Sequence, residues 1–358
     1  MARAAGLQKE VCQIIASAAQ FVDDNHEEHE IEFKDGGKLN VMPTAYSLFS
    51  EENMARFDKE HRRVWVPFHF LPGNKGKGIS ERLICRQDSR ISREMLNHCV
   101  SRIQEPFGLH ILGIAAHVYA DTFAHYGFSG VSSRWNEVHG GSIELNNDER
   151  DGEAEKRFED KHGHTMKGLP NWRTVWDEVK SETVEFFTGA LGHGAVLKYP
   201  DFPYLEWEFE YEHTEDTTDI PRRTDRNNLE TYLEACRKLY ELFSSLPRQF
   251  KDSSPAQATN FTQIEGFVRQ ILEVKEPSRE ERSKIWKIYA KKGKLFTQPE
   301  DILPYRGNLW KQKLKKLNRN FTVEQASKEH VIKFLQAAEI YRTYVLKELL
   351  PKHNLILD

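Results

Sequence analysis

Residues 107–130 read FGLHILGIAAHVYADTFAHYGFSG. Ile111, Leu112, Ile114, Ala115, Ala116 and Val118 leave almost no polar face, which predicts a deeply buried helix over 107–126. Into it are set His117, Asp121 and His125, at i, i+4 and i+8. On a helix those positions fall along one face over two turns, so three polar side chains project into the same space. Burying such groups is costly unless they find partners. Two accounts follow. The three hydrogen-bond to one another within a core, or they hold a cation. Histidine and aspartate are ligand types of a borderline ion such as zinc, and the metal reading is the one pursued here. His110, two turns back, is expected to support the row.

Around this helix the chain reads as mainly helical, and the fold class expected is all-α, a helical bundle with one small β-hairpin. Apolar residues recur at helical spacing over 7–22, 92–104, 172–190 and 225–250, and again over 261–274, 278–292, 308–318 and 323–349, where Pro351 is expected to end the last helix. The alternation in EIEFKDGGKLNVM, with Asp-Gly-Gly at 35–37, predicts the hairpin. Residues 140–170 are polar and read as a loop. Residues 201–220 carry eight acidic residues and no Lys or Arg. A Ser/Pro/Ala stretch over 252–259 divides a metal-binding helical part, 1–250, from a basic helical region, 260–358.

Composition excludes several classes. With 358 residues, 39% hydrophobic and 30% charged, the chain can build a core without cross-links and is neither collagenous nor disordered. A net charge of −4 gives no global field for nucleic acid. Cys12, Cys85, Cys99 and Cys236 show no CxxC spacing, so neither a disulfide framework nor a cysteine zinc site is expected. No run approaches the roughly 20 apolar residues of a membrane span, and polar Gln8, Lys9 and Glu10 argue against a signal peptide, so a cytoplasmic protein is expected. The loop PGNKGKG at 72–78 lacks phosphate-loop spacing.

Other candidate ligands are dispersed. Asp23 and Asp24 end an apolar helix, where acids oppose the helix dipole. His69 stands between aromatics in VPFHFLPG, a setting that also suits an ordinary core histidine. His193 sits in a glycine-flanked turn with Asp201 eight residues on, and His162 and His164 lie in the polar insertion.

Taken together, ASAAQFVDD, PFHF and HVYADTFAH resemble the helical superfamily of zinc-dependent phospholipase C and the single-strand-specific nucleases. HVYADTFAHYGFSG and GHGAVLKYPDFPYLEW are more closely similar to a bacterial family of unknown function that carries both patterns. The resemblance covers roughly residues 1–215. It implies two to three zinc or other divalent ions. Asp23 or Asp24, His69, His117 and Asp121 would hold the first, and His125, His193 and Asp201 another. Asp121 would bridge to a further ion whose remaining ligands come from the N-terminus. Asp23, His69 and Asp121 carry over as the catalytic set. The chain departs from the superfamily at Met1-Ala2-Arg3, which offers no such ligand, and at LPNWRTVWDE, where Asp177 is a poor ligand candidate and His193 is preferred.

The reading is therefore a metal-dependent phosphodiester hydrolase acting on nucleic acid or phospholipid, with nuclease favoured. Because either activity would harm a cell unrestrained, a regulated toxin or defence effector is a further expectation. The alternative is a non-catalytic interaction module with a structural or degenerate metal site. Residues 271–320 contain 14 Lys/Arg against 6 Asp/Glu, with Trp286, Tyr289, Phe296 and Trp310 interleaved and Phe321 just beyond. That region is expected to meet a nucleic acid or a protein partner, or else to be the solvated face of amphipathic helices.

Overall fold

The computed structural model describes residues 1–46, 62–139, 142–145, 192–196, 198–212, 220–252, 259–276, 278–317 and 320–357. The helix expected over 172–190, Asp177, His162, His164 and most of the 140–170 insertion lie outside the described residues.

Helix α1 (Lys9–Asp24) turns Val11, Ile15, Ala18, Phe21 and Val22 inward. A hairpin follows, β1 (His29–Glu32) and β2 (Lys38–Val41), paired antiparallel with Glu32 opposite Lys38. Gly36 takes a φ of +82° in its turn, which glycine adopts without steric cost. Next come α2 (Arg62–Phe68), α3 (Ile79–Arg82), α4 (Arg90–Ser101) and α5 (Gly108–Ala124). Later elements are β3 (Glu144–Leu145), β4 (Glu206–Glu210), β5 (Arg223–Asn227) and α6 (Asn228–Ser244). The basic region supplies α7 (Phe261–Leu272), α8 (Arg279–Lys291), α9 (Gly307–Lys316), α10 (Val323–Ser327) and α11 (His330–Tyr344). From α11 the chain runs on through a wider π turn, Val345–Leu349, into α12 (Leu350–Lys352).

Helix α5 is the hub, packed against α1, α4, α6 and α11. Its approach to α1 is set by Gly113. A Cβ there would lie 2.5 Å from the Ile15 carbonyl oxygen and 2.6 Å from the Ala18 Cβ. The missing side chain brings the two backbones together one turn before His117.

The described fold is mostly helical, with two small sheets rather than the single hairpin expected. The second sheet, β3-β4-β5, was hidden by its charge. In EWEFE the acids and aromatics alternate with period two: Trp207 and Phe209 are buried, while Glu206, Glu208 and Glu210 are less so. Arg223 sits across from Glu210 and bonds Glu208, its Nε 3.2 Å from Oε2, which relieves the acidic row. The helix expected from Asp225 therefore begins at Asn228, where the Asn227 side chain accepts from the Glu230 N–H.

Two other boundaries shift. Pro351 does not end the last helix, because the π turn starts a fresh segment whose first turn needs no N–H from proline. The helix expected over 323–349 also divides, into α10 and α11. Phe334, Ala337 and Tyr341 of α11 share one buried cluster with Phe21, Ile111, Ile114 and Val118. In the basic region Trp310 and Phe296 are buried and Trp286, Tyr289 and Phe321 partly so, which withdraws most of the interleaved aromatics from a stacking surface. All four cysteines are free, with Cys85 and Cys99 buried.

Candidate metal centre

Six side chains form two triads, Asp23–His69–His117 and His125–His193–Asp201. Within each, the ligand atoms lie within 4.8 Å of one another. Asp121 stands between the triads. Its Oδ2 is 3.1 Å from Nδ1 of His69, 3.2 Å from Nε2 of His117 and 3.7 Å from Nδ1 of His125.

Backbone partners decide which ring nitrogens are available. Nε2 of His69 lies 2.9 Å from the Thr44 carbonyl, and Nδ1 of His125 lies 2.9 Å from the His69 carbonyl. A carbonyl only accepts, so those nitrogens carry protons. In the neutral rings the lone pairs are then on Nδ1 of His69 and Nε2 of His125, which face the two triads. Such a carbonyl on the far nitrogen fixes tautomer and ring orientation for metal binding.

The Thr44 carbonyl is itself fixed. Its backbone N–H donates to the Asn25 carbonyl, its hydroxyl donates to Val22, and the buried Arg342 of α11 donates to neighbouring Pro43. His125 is not inside α5 but caps its C-terminus, its N–H on the Asp121 carbonyl at 2.8 Å. Phe70 stacks on its ring with centroids 4.8 Å apart. The buried Arg226 donates to the Ala124 and Tyr126 carbonyls at the same helix end. The YGFSG segment after it is structural: the Tyr211 hydroxyl donates to the Gly127 carbonyl, and the Ser129 N–H donates to the buried Asn136 side chain.

Asp201 rides on a short turn, Tyr199–Asp201, held by α6. The Asn228 amide donates to the carbonyls of Tyr199 and Phe202 at 2.7 and 2.9 Å, and the Tyr232 hydroxyl donates to Pro200. Oδ1 of Asp201 is then 3.6 Å from Nε2 of His125.

The electrostatics follow from this packing. Burial would raise the Asp121 carboxyl, but the charges of His117 and His125 and the bond from His117 hold it far below the usual carboxylate range. Burial would lower His117, yet Asp121 and Asp23 raise it to about 8. His125 is likewise raised to about 9, by Asp121 and Asp201.

The residues fit a divalent ion. Ligands about 2.0–2.1 Å from a tetrahedral zinc stand about 3.3 Å apart. The polar edges of the first group run 3.1, 3.2, 3.5 and 3.6 Å, the last two being His69 Nδ1 to His117 Nε2 and His117 Nε2 to Asp23 Oδ1. A divalent ion seated among these atoms would take the place of the protons that His117 shares with Asp121 and Asp23.

Every expected ligand except Asp24 joins the assembly. Asp24 turns away, its carboxylate accepting from the Tyr305 hydroxyl. His110 does not support the row; its Nε2 lies 3.1 Å from Nδ1 of His330, beside Trp310. The N-terminus supplies no third set. Met1 packs near Phe243 and Phe261, at the end of α1 opposite Asp23, and a helix of 16 residues spans about 24 Å. Sequence reading missed Arg279, whose Nη2 lies 2.7 Å from Oδ2 of Asp23, as well as Asn228 and Phe70. Only the asparagine carried a signal, standing beside the cap residue Asn227.

The chain belongs to DUF6765, a family of unknown function whose model matches residues 1–349. No curated protein and no solved structure matches it. No helix among the described residues is long and apolar enough to cross a membrane.

Proposed function

We propose that the protein is a metal-dependent phosphodiester hydrolase with a dinuclear centre, a nuclease in preference to a phospholipase. The observation that carries the reading is the pair of His/Asp triads with the carboxylate of Asp121 between them. Asp23, His69 and His117 would hold one ion and His125, His193 and Asp201 the other, with Asp121 placed between them. Bound divalent ions supply Lewis-acid polarisation of a phosphoryl oxygen and activation of water.

The protein's own residues do the rest. The Thr44 and His69 carbonyls hold the two imidazoles in orientation, with Nδ1 of His69 and Nε2 of His125 turned toward the triads. Asp121 is ionised throughout the neutral range and neutralises part of the ions' charge. The Asp23 and Asp201 side chains are 34% and 42% exposed, so the centre opens to solvent on the side where a substrate would enter. A purely structural site is closed, and this openness favours catalysis. Charge in the basic C-terminal region favours a polyanionic substrate, hence nucleic acid.

A non-catalytic interaction module with a structural or degenerate metal site is the second reading. Metal analysis with anomalous scattering, followed by turnover of bis(p-nitrophenyl) phosphate, separates the two. Two bound ions with turnover support the hydrolase; two ions with no turnover of this diester or of single-stranded DNA, RNA or phospholipid support the structural site.

A further inference from the structure

The first turn of α8 touches the first triad and the residue that follows the second. Arg279 reaches Asp23 of the first, with Nη2 to Oδ2 at 2.7 Å. Arg282, three residues on and therefore on the same side of the helix, places its guanidinium 5.8 Å from the ring centre of Phe202, the residue after Asp201. Arg282 also donates to the Glu276 carbonyl at 2.9 Å, which ties down the start of the helix. One carboxylate, that of Asp23, separates the Arg279 guanidinium from the His117 ring, because its other oxygen is 3.6 Å from His117 Nε2.

The Arg279 side chain is 60% exposed, and among the described residues its polar partner is Asp23. A guanidinium has five N–H donors in a planar fork, and Asp23 takes one. An ion pair this exposed contributes about 0–1 kcal/mol to stability, so fold maintenance does not account for its placement.

Charge points the same way. Three carboxylates, Asp23, Asp121 and Asp201, against two divalent ions leave one positive charge, and Arg279 adds a second. That excess balances a phosphate dianion, which planar N–H pairs recognise well.

We propose, resting on the dinuclear reading above, that Arg279 is the phosphoryl-anion-binding residue of the centre. It steadies Asp23 with one N–H and presents the others to the non-bridging oxygens of a phosphoester or of the released phosphate. The C-terminal region thus contributes a substrate-binding group through α8, not only through the lysines of α9.

The test is calorimetric titration of inorganic phosphate at pH 8 into the zinc-loaded full chain, compared with Arg279→Met and Arg279→Lys, with zinc content measured on each sample. The expected result is two zinc ions in all three proteins, phosphate affinity at least tenfold weaker in Arg279→Met, and an intermediate value in Arg279→Lys. Unchanged affinity in Arg279→Met with both ions present overturns the assignment. Loss of one ion in Arg279→Met also overturns it, since the residue would then act only by positioning Asp23. A wild-type chain that takes up no zinc brings down the dinuclear reading itself, a result distinct from either.

Discussion

His69 and Asp121, 52 residues apart in sequence, meet with Nδ1 and Oδ2 at 3.1 Å. The contact ties the residue that follows α2 to the last turn of the buried α5 helix. Asp121 also lies within 3.7 Å of imidazole nitrogens belonging to both triads.

Asp121→Ala is expected to be the most damaging single change to metal content. It removes a ligand shared by two ions, whereas each histidine serves one. Equilibrium dialysis against zinc should show less than one ion per chain, against one retained in His125→Ala. Full metal in Asp121→Ala alongside loss in His125→Ala would show that Asp121 does not bridge.

Metal-free and zinc-loaded protein should respond to pH in opposite directions. His117 and His125 are raised from an ordinary 6.5 to about 8 and about 9. A raised histidine contributes stability that is fully present below its unfolded value and is lost as pH rises through its folded value. The metal-free chain should therefore lose stability between about pH 6.5 and 9. Zinc must displace those protons, so its affinity should climb across the same interval. Thermal melts at pH 6.5, 7.5 and 9, with and without zinc, test both slopes. A metal-free melting temperature that rises over this range contradicts the burial of an ionised Asp121 between the two histidines.

Gly113→Val should separate the two ions. A Cβ at that position collides with the Ile15 carbonyl and the Ala18 side chain, so α1 must move off α5. The cost is about 1–3 kcal/mol of stability, and Asp23 at the far end of α1 moves with it. Zinc affinity of the first triad should fall while that of His125, His193 and Asp201 stays. A urea denaturation curve together with zinc stoichiometry reads both effects.

Asn228→Ala should do the reverse. It strips two donors from the part-buried Tyr199 and Phe202 carbonyls and leaves the Asp201 turn held to α6 through the Tyr232 hydroxyl. Loss of about 1–3 kcal/mol is expected, with the second ion weakened and the first retained. If the first ion is lost instead, the two triads are not independent in the way their supporting contacts indicate.

Replacing Lys311, Lys313, Lys315 and Lys316 by Glu should weaken nucleic-acid binding and leave bound metal unchanged. Lys313 is already paired with Glu329 at 2.8 Å, and the other three carry most of the effect. If all four neutralise phosphates, the slope of log affinity against log salt should fall by about 3. Unchanged affinity at low salt would mark the α9 lysines as a solvated helix face.

That His117, Asp121 and His125 gather on one side was legible in the sequence because a helix converts spacing into direction. HVYADTFAH put three polar groups on one side of an apolar stretch, and no partner elsewhere was needed to see it. The EIEFKDGGKLNVM hairpin was legible for the same reason, since its turn and its alternation are both local. Tertiary structure alone decided what those side chains face. Asp23 rather than Asp24 enters the centre because Gly113 sets how α1 lies on α5, while Tyr305, 281 residues further on, draws Asp24 aside. The tautomers of His69 and His125 depend on carbonyls at Thr44 and His69, and a backbone acceptor leaves no mark in residue identity. Arg279 reached Asp23 from 256 residues away through the packing of α8, a contact whose two ends read separately as an exposed arginine and a helix-terminal acid.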